Sequence, residues 1–372
     1  MTVGSVLRRQ TGRCAPATTL TTPGRPPPPV ELYGYDIPFE QVLPQVKADH
    51  PDMAAIGVQF PDGLRDHATA FADIVEKELG VPVVISADPC YGACDLADDE
   101  MAKLGVKVLL HFGHSAMPSV PELGGVHVYY IQAWSTHSIT DVVTRAAKEH
   151  LTGQRIGLCT TAQHTHKMDE AADILRAHGR EPVIGFGDKR TKLQGQLLGC
   201  NVMAATKLMD VDEYLFVGSG DFHPLALALE TEKRIVGANP YDGVIHSFDG
   251  PKHKILKQRY AAMALAKDAQ RFGIVISTKG GQMRFELAQK VLKKLREHGR
   301  EGYLIQNKQI SPGDLLYFRH LDAFVGVACP RVPIDDQGRY NKPFLTPQEL
   351  DMVLGVKPFD KYVFDTYAAN SR

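Results

Sequence analysis

The sequence predicts an α/β protein made of three repeated small doubly wound parallel-sheet domains around a pseudo-threefold axis. A short apolar strand recurs three times, beginning at Ile56, Ile156 and Ile274. Each strand runs into a polar loop and then into a helical pattern that stops at a glycine, namely Gly80, Gly179 or Gly299. The glycine lies 24, 23 and 25 residues after the strand begins, so the spacing is nearly constant. Alternating strands and helices are typical of parallel sheets with right-handed crossovers.

The first copy shows each element most clearly. Residues 56–60 are an apolar strand, and the Pro-Asp-Gly of residues 61–63 signals a turn. Apolar residues then recur every three or four positions, which places them on one face of a helix: Leu64, Ala68, Phe71, Val75 and Leu79. The glycine that follows can adopt the left-handed conformation of a helix C-terminus. Further strands are predicted at 83–85 and 106–110.

The second and third copies repeat this order. Both of their helices stop in the same four residues, His-Gly-Arg-Glu, at 178–181 and 298–301. Later strands are predicted at 183–184, 214–217, 303–305 and 323–327. We therefore expect three α/β domains, at 31–150, 151–265 and 266–372. The alternative is one large Rossmann-like domain in which the repeated sequence pattern is accidental.

The first 30 residues differ in composition from the rest. They contain four arginines, no acidic residue and a run of four prolines, and such a segment buries too little apolar surface to fold alone. We expect a disordered tail at 1–30. A targeting peptide is the alternative, although the apolar stretch that should follow Arg8 and Arg9 is missing.

Composition and charge exclude several classes of protein. Apolar residues make up 44% of the chain, charged residues 23%, and the net charge is −1, so no basic excess points to nucleic acid. No apolar run approaches the 18 residues of a membrane span. Six cysteines without a signal peptide favour reduced thiols in the cytoplasm over a disulfide framework.

Three cysteines fall in loops that follow strands, one in each copy. They are Cys94, Cys200 and Cys329. Ligands bind at the carboxyl ends of parallel strands, so three domains around one axis would bring these thiols together. A structural zinc site normally takes four protein ligands. Three thiolates instead suit a four-iron cluster with one iron left open for a substrate.

The other cysteines fit less well. Cys159 lies inside a strand, where core packing is expected, and Cys14 lies in the tail. Cys90 and Cys94 begin like the CxxxCxxC motif of ordinary radical S-adenosylmethionine enzymes, but the third position is Ala97. Cys90 is therefore interpreted as a spare thiol beside the cluster ligands.

The strings around these residues resemble the diphthamide synthesis family in its archaeal homodimeric form. The resemblance covers about residues 35–366, and the tail departs from it. The matching strings are Pro-Cys-Tyr-Gly-Ala-Cys-Asp at 89–95, Leu-Cys-Thr-Thr-Ala-Gln-His at 158–164, Gly-Cys-Asn at 199–201, Ala-Cys-Pro-Arg at 328–331 with Ile-Asp-Asp at 334–336, and Lys-Pro-Phe-Leu-Thr-Pro at 342–347.

The resemblance implies a function. It implies a [4Fe–4S] cluster held by Cys94, Cys200 and Cys329, and a transferase that is a homodimer. It further implies that S-adenosylmethionine is cleaved to methylthioadenosine by a non-classical radical mechanism that needs a reductant or electron donor. The 3-amino-3-carboxypropyl group would then pass to a histidine of translation elongation factor 2, the first step of diphthamide biosynthesis.

Residues that contact S-adenosylmethionine are expected in the loops after the first strands. Helix N-termini there offer free N–H groups to a carboxylate. The candidates are Gln163, His164, Lys279 and Gln282. Gln163 and His164 could instead cap or line a sheet edge. His114 and His223 also end third strands, where surface or capping roles are the alternative, and Arg331 is either a cluster neighbour or part of a structural ion pair.

Two other functions stay open. The first is a dehydratase similar to quinolinate synthase, whose open iron binds a small hydroxy acid. The second is a non-catalytic iron–sulfur subunit that donates electrons to a partner.

Overall fold

The computed structural model describes residues 30–117 and 119–367. Three separate sheets, each with four parallel strands, form the body of this region, and a small antiparallel sheet adjoins the first of them. The mixed α/β class is confirmed. The predicted tail, with Cys14, lies outside the described residues except for Val30. None of the helices in the described part has the length and hydrophobicity to cross a bilayer.

The first unit is built around a sheet with the strand order β4-β3-β5-β6. Its elements are β1 (Val30–Leu32), β2 (Tyr35–Ile37), α1 (Phe39–Asp49), β3 (Ile56–Gln59), α2 (Asp62–Arg65), α3 (Ala68–Leu79), β4 (Val83–Ile85), α4 (Asp98–Lys103), β5 (Val108–Phe112), β6 (His127–Ile131), β7 (Trp134–Ser135), α5 (Thr140–Arg145) and a π-helical turn at Ala146–His150. Strands β1, β2 and β7 form the antiparallel sheet, which the sequence did not predict.

The second unit has the strand order β9-β8-β10-β11-β12, in which only β12 is antiparallel. Its elements are β8 (Arg155–Thr160), a 3₁₀ helix at Ala162–Lys167, α6 (Met168–Ala177), β9 (Glu181–Val183), α7 (Met203–Thr206), β10 (Glu213–Val217), α8 (Phe222–Glu230), β11 (Ile235–Ala238), β12 (Ile245–Ser247) and α9 (Asp249–Ala266).

The third unit has the strand order β14-β13-β15-β16. Its elements are β13 (Arg271–Ile276), α10 (Phe285–Glu297), β14 (Glu301–Gln306), α11 (Pro312–Leu315), β15 (Ala323–Val327), α12 (Arg331–Asp335), a 3₁₀ helix at Gln337–Arg339, β16 (Phe344–Leu345) and α13 (Pro347–Val353). In all three sheets the unit's first parallel strand lies between its second and its third. The pseudo-threefold arrangement and the domain boundaries stay predictions.

Local chemistry explains where the helices and strands begin and end. Gly80, Gly179 and Gly299 have φ values of 74°, 73° and 70°, the left-handed conformation expected at the end of a helix. After α6 and α10 the shared His-Gly-Arg-Glu sequence makes the same closing hydrogen bond, from Arg180 N to Leu175 O and from Arg300 N to Leu295 O. The third strand of the first unit begins at Val108 instead of 106, because Val106 N–H closes the turn after α4 by bonding Met101 O.

Apolar cores lie on both faces of each sheet, as the doubly wound class requires. Helix α9 joins the second unit to the third. Its residues Ile255 and Leu256 pack against the core of the second unit. One to two turns later, Ala262 and Met263 belong to the core of the third unit. The helix therefore fixes these two units against each other.

One ion pair on α9 is fully buried. Arg259 and Glu349 have no exposed side-chain surface, and the guanidinium binds both carboxylate oxygens, with Nε–Oε1 of 2.7 Å and Nη2–Oε2 of 2.6 Å. The guanidinium also donates to the carbonyls of Pro333 and Phe344. Tyr362 Oη donates to Glu349 Oε1 at 2.8 Å. Every charge in this pair is therefore hydrogen-bonded, which is the condition for burying ions at a tolerable cost.

We predict that Glu349→Gln lowers the free energy of unfolding by about 3–5 kcal/mol, because it leaves the Arg259 charge buried without its partner. Urea denaturation followed by circular dichroism measures the change. The control is Glu297→Gln, which removes an exposed partner of Lys293 and should cost about 0–1 kcal/mol. Equal losses in the two variants would contradict the importance of the buried pair.

Candidate functional site

The three strand-end cysteines lie in loops at the carboxyl ends of the sheets. Cys94 follows β4, Cys200 follows β9 and Cys329 follows β15 directly. Burial raises the pKa of all three thiols, to about 11 for Cys94. The charge of Cys200 further raises the pKa of Cys94, and Cys200 and Cys94 together raise that of Cys329. Gly281 N–H donates to Cys94 O, and Tyr367 bonds both Cys200 O and Ala328 O, so the loops that carry one thiol from each unit adjoin one another.

The spacing of the three thiols differs from that of ligands around one ion. Among residues 30–117 and 119–367, the potential ligands whose donor atoms all lie within 4.8 Å of one another are Cys90, His111 and His114. The strand-end cysteines do not make so tight a group. A multi-iron cluster, being several atoms wide, takes more widely separated thiolates than a single zinc ion does. The donor set therefore fits a cluster.

Glycine lets the third unit approach the first at Cys94. Gly281 lies in the loop after β13, and a Cβ atom there would come within 2.4 Å of Cys94 Cα and 2.9 Å of Cys94 O. Gly281 N–H instead donates to Cys94 O at 3.2 Å. A larger residue would separate the two loops, so the glycine is required by close approach and not by its dihedral angles.

Two predicted ligand contacts, Lys279 and Gln282, lie beside this contact. Lys279 Nζ is 2.6 Å from Asp95 Oδ2 and 2.8 Å from Gln309 Oε1, and both members of the ion pair are buried. The same ammonium lies 5.1 Å from the centre of the Tyr91 ring. Gln282 Nε2 lies 3.5 Å from Cys94 Sγ. The loop after β13 thus supplies hydrogen-bond donors next to the first thiol.

The neighbours of Cys200 were not predicted from the sequence. Tyr367 N–H donates to Cys200 O at 2.8 Å, and its hydroxyl donates to the carbonyls of Gln282 at 3.0 Å and Ala328 at 3.3 Å. Arg190 and Arg284 lie over the Tyr367 ring, 4.4 Å and 4.6 Å from its centre.

These two cations differ in their partners. Arg284 is paired with the buried Asp365 at 2.7 Å. Arg190 instead lies close enough to the thiols to offset part of the burial effect on the pKa of Cys200 and Cys94. It is therefore a source of positive charge at the site.

A second group of polar residues surrounds Arg331, which follows Cys329. Its guanidinium binds Asp335 and lies 4.3 Å from the centre of the Phe222 ring. Burial, then the charges of Arg331 and His114, lower the pKa of His223 to about 3. His223 lies in the first turn of α8 and is neutral beside Arg331, and His114, which follows β5, contributes to its lowered pKa.

Gln163 and His164 take different positions from the other two predicted ligand contacts. Gln163 Nε2 donates to Gly113 O, in the loop after β5, at 2.9 Å. His164 is buried and packs edge-on against Tyr241, and its Nδ1 has no hydrogen-bond partner. Gln163 thus ties the second unit to the first, whereas His164 keeps an unused polar atom. Cys159 lies in the apolar core, as predicted.

A family model and the sequences of two relatives point to the same family of proteins. The family model for the diphthamide synthesis protein matches residues 60–363. The 2-(3-amino-3-carboxypropyl)histidine synthase of Pyrococcus horikoshii is 36% identical over 343 residues, which are 91% of this chain and 95% of that protein. The synthase of Methanocaldococcus jannaschii is 26% identical over 344 residues, covering 89% and 93% of the two chains.

A solved structure matches over the same length. The crystal structure of Dph2 from Pyrococcus horikoshii with a 4Fe–4S cluster superimposes with a TM-score of 0.81 at 35% identity, covering 91% of this chain and 95% of that one.

We predict that Gly281→Ala lowers the iron content of anaerobically prepared protein. Overpacking against the Cys94 backbone costs about 1–3 kcal/mol, enough to displace one of the loops. Iron analysis per chain measures the loss. Gly63→Ala is the control, because Gly63 lies in α2, the short helix after β3, and has open space around it. Full iron content in Gly281→Ala would show that this close approach is dispensable.

Proposed function

This chain belongs to the diphthamide synthesis family, and we propose that it is a 2-(3-amino-3-carboxypropyl)histidine synthase, the transferase of the first step of diphthamide biosynthesis. The observation that carries the proposal is that hydrogen bonds of Gly281 and Tyr367 join the loops of the three strand-end cysteines, of which Cys200 is buried and the other two are partly buried. Relatives named as this synthase along almost their whole length support it.

We propose that Cys94, Cys200 and Cys329 hold a [4Fe–4S] cluster. The Dph2 structure that contains such a cluster supports this assignment. When bound, the cluster supplies the electron that cleaves a carbon–sulfur bond of S-adenosylmethionine. Because burial raises the pKa of each thiol, loading the site must release protons. Arg190 favours the thiolate form at Cys94 and Cys200.

Residues beside Cys94 and in the loop after β8 are our candidates for binding and orienting S-adenosylmethionine. Lys279 uses two of its three donors on Asp95 and Gln309, which fixes the ammonium and leaves one donor. Gln282 has an amide group within reach of the Cys94 sulfur. His164 keeps a buried ring nitrogen without a partner. These three and Gln163 form our proposed binding set, whose task is to present the correct carbon–sulfur bond.

Further properties of the chain follow from the proposed activity. The acceptor is a histidine of translation elongation factor 2, the enzyme works in the cytoplasm as a homodimer, and a reductant or electron donor supplies electrons. The dehydratase and the electron-donor subunit differ from this proposal in their products. The experiments below therefore separate the three.

We predict that Cys94→Ser, Cys200→Ser and Cys329→Ser each lose the cluster, because serine is a poor ligand for soft metals. Wild-type protein purified without oxygen should contain about four irons per chain. Cys159→Ser is the matched control, since that thiol is buried in the core of the second unit. A full, active cluster in Cys200→Ser would refute the three-cysteine assignment.

We predict that the reduced chain, alone with a chemical reductant, transfers label from carboxyl-labelled S-adenosylmethionine to elongation factor 2. Methylthioadenosine should accumulate in parallel, measured by chromatography. Replacing the acceptor histidine should abolish the transfer while some uncoupled cleavage persists. Mainly 5′-deoxyadenosine would indicate an ordinary radical enzyme, and an inactive chain that regains activity with a partner would indicate an electron-donor subunit.

A further inference from the structure

Cys90, His111 and His114 form a second cluster of metal-ligating groups in the first unit. One donor atom from each lies within 4.8 Å of the other two. Cys90 lies in the loop after β4, His111 lies on β5, and His114 follows that strand. Cys90 and His111 are buried and His114 is partly exposed. The function proposed above assigns none of the three, although Cys90 is only four residues from Cys94.

Hydrogen bonding around Gln59 fixes the protonation of His111. Ala97 N–H donates to Gln59 Oε1 at 3.1 Å, so this atom is the amide oxygen. His111 Nδ1 lies 2.9 Å from the same oxygen and must therefore carry the proton. The lone pair of His111 consequently sits on Nε2, which faces His114 Nδ1 at 3.0 Å.

This arrangement is the one that metal-binding histidines use. A ligating imidazole usually donates its other N–H to an oxygen that fixes the ring orientation, and Gln59 does this for His111. Gln59 is itself held, because its Nε2 donates to Asp95 O at 2.8 Å. Donor atoms around tetrahedral zinc lie roughly 3.3–3.8 Å apart, as its bond lengths dictate. The 3.0 Å separation of the two imidazole nitrogens is close to that range.

The Cys90 thiol makes only weak contacts, so metal binding would break no strong hydrogen bond there. Its sulfur lies 3.7 Å from Gly92 O and 3.6 Å from Asp95 O, the distances of weak S–H contacts. Burial lowers the pKa of His111 and His114, to about 4 for His114, so both rings are neutral at pH 7 and can offer lone pairs.

We propose that Cys90 Sγ, His111 Nε2 and His114 Nδ1 form a mononuclear site for a zinc-class divalent cation, separate from the three strand-end cysteines. One thiolate and two imidazoles are ligands that such ions favour. Three protein ligands leave a fourth position for water or a substrate atom. On binding, Cys90 releases its proton to solvent, and the His114 proton moves from Nδ1 to Nε2, so one proton leaves per ion.

The first test uses the cluster-loaded, full-length chain. After incubation with Zn²⁺ and desalting, elemental analysis should find about one zinc per chain in addition to the iron. Cys90→Ala and His114→Ala should each lose that zinc and keep the iron. Cys159→Ala, which removes a buried core thiol, should keep both metals. Equal zinc in wild type and Cys90→Ala would overturn the proposal.

The second test isolates the site from the cluster ligands. In the full chain with Cys94→Ser, Cys200→Ser and Cys329→Ser, Co²⁺ should produce a thiolate-to-cobalt charge-transfer band that saturates near one equivalent. Adding Cys90→Ala should remove the band, and circular dichroism checks that each variant is folded. Absence of the band while Cys90 is present would overturn the proposal even if the alanine variants fail to fold. That outcome leaves the proposed iron–sulfur function untouched.

Discussion

The close contact between Gly281 and the Cys94 backbone is the constraint on which the rest of the site depends. These residues are far apart in the chain and lie in loops of the third and first units, yet no side chain separates them. Because Gly281 lacks a Cβ, Lys279 comes within 2.6 Å of Asp95, and Gln282 reaches the Cys94 sulfur. A site built from loops of separate sheets requires such an approach, since each polar pair would otherwise face solvent or a cavity.

Two buried cations at the site, Lys279 and Arg284, are tolerable because each is matched by a carboxylate. Lys279 pairs with Asp95, and Arg284 pairs with Asp365. Isolated ions in such positions would each cost several kcal/mol. The thiols differ, because burial raises their pKa values and keeps them protonated until a metal binds. We therefore expect the sulfurs to be the groups whose charge changes when the proposed cluster binds.

The sequence predicts the repeated elements well, because each is encoded locally. Strand periodicity and the glycine after each helix are local signals, and cysteines at strand ends mark the edge where the ligand site is predicted. The neighbours of those cysteines could not be predicted from the sequence. Arg190 contacts Gly281 across 91 positions, and Asn201 binds Tyr367 O across 166. No spacing rule in one sequence connects such residues. His111 was missed for a related reason, since a histidine inside an apolar strand gives no local sign that its ring faces Cys90.

Tyr367 shows why this site depends on a residue far along the chain from the thiols of the first two units. Its backbone N–H donates to Cys200 O. Its hydroxyl bonds the carbonyl of Gln282, in the loop after β13, and that of Ala328, next to Cys329. Contacts of such long sequence separation form late in folding, because the entropy of closing the loops must be overcome first. We therefore expect the loops of Cys200 and Cys329 to reach their final positions only when the C-terminal segment has docked, and the proposed cluster to be loaded after that step.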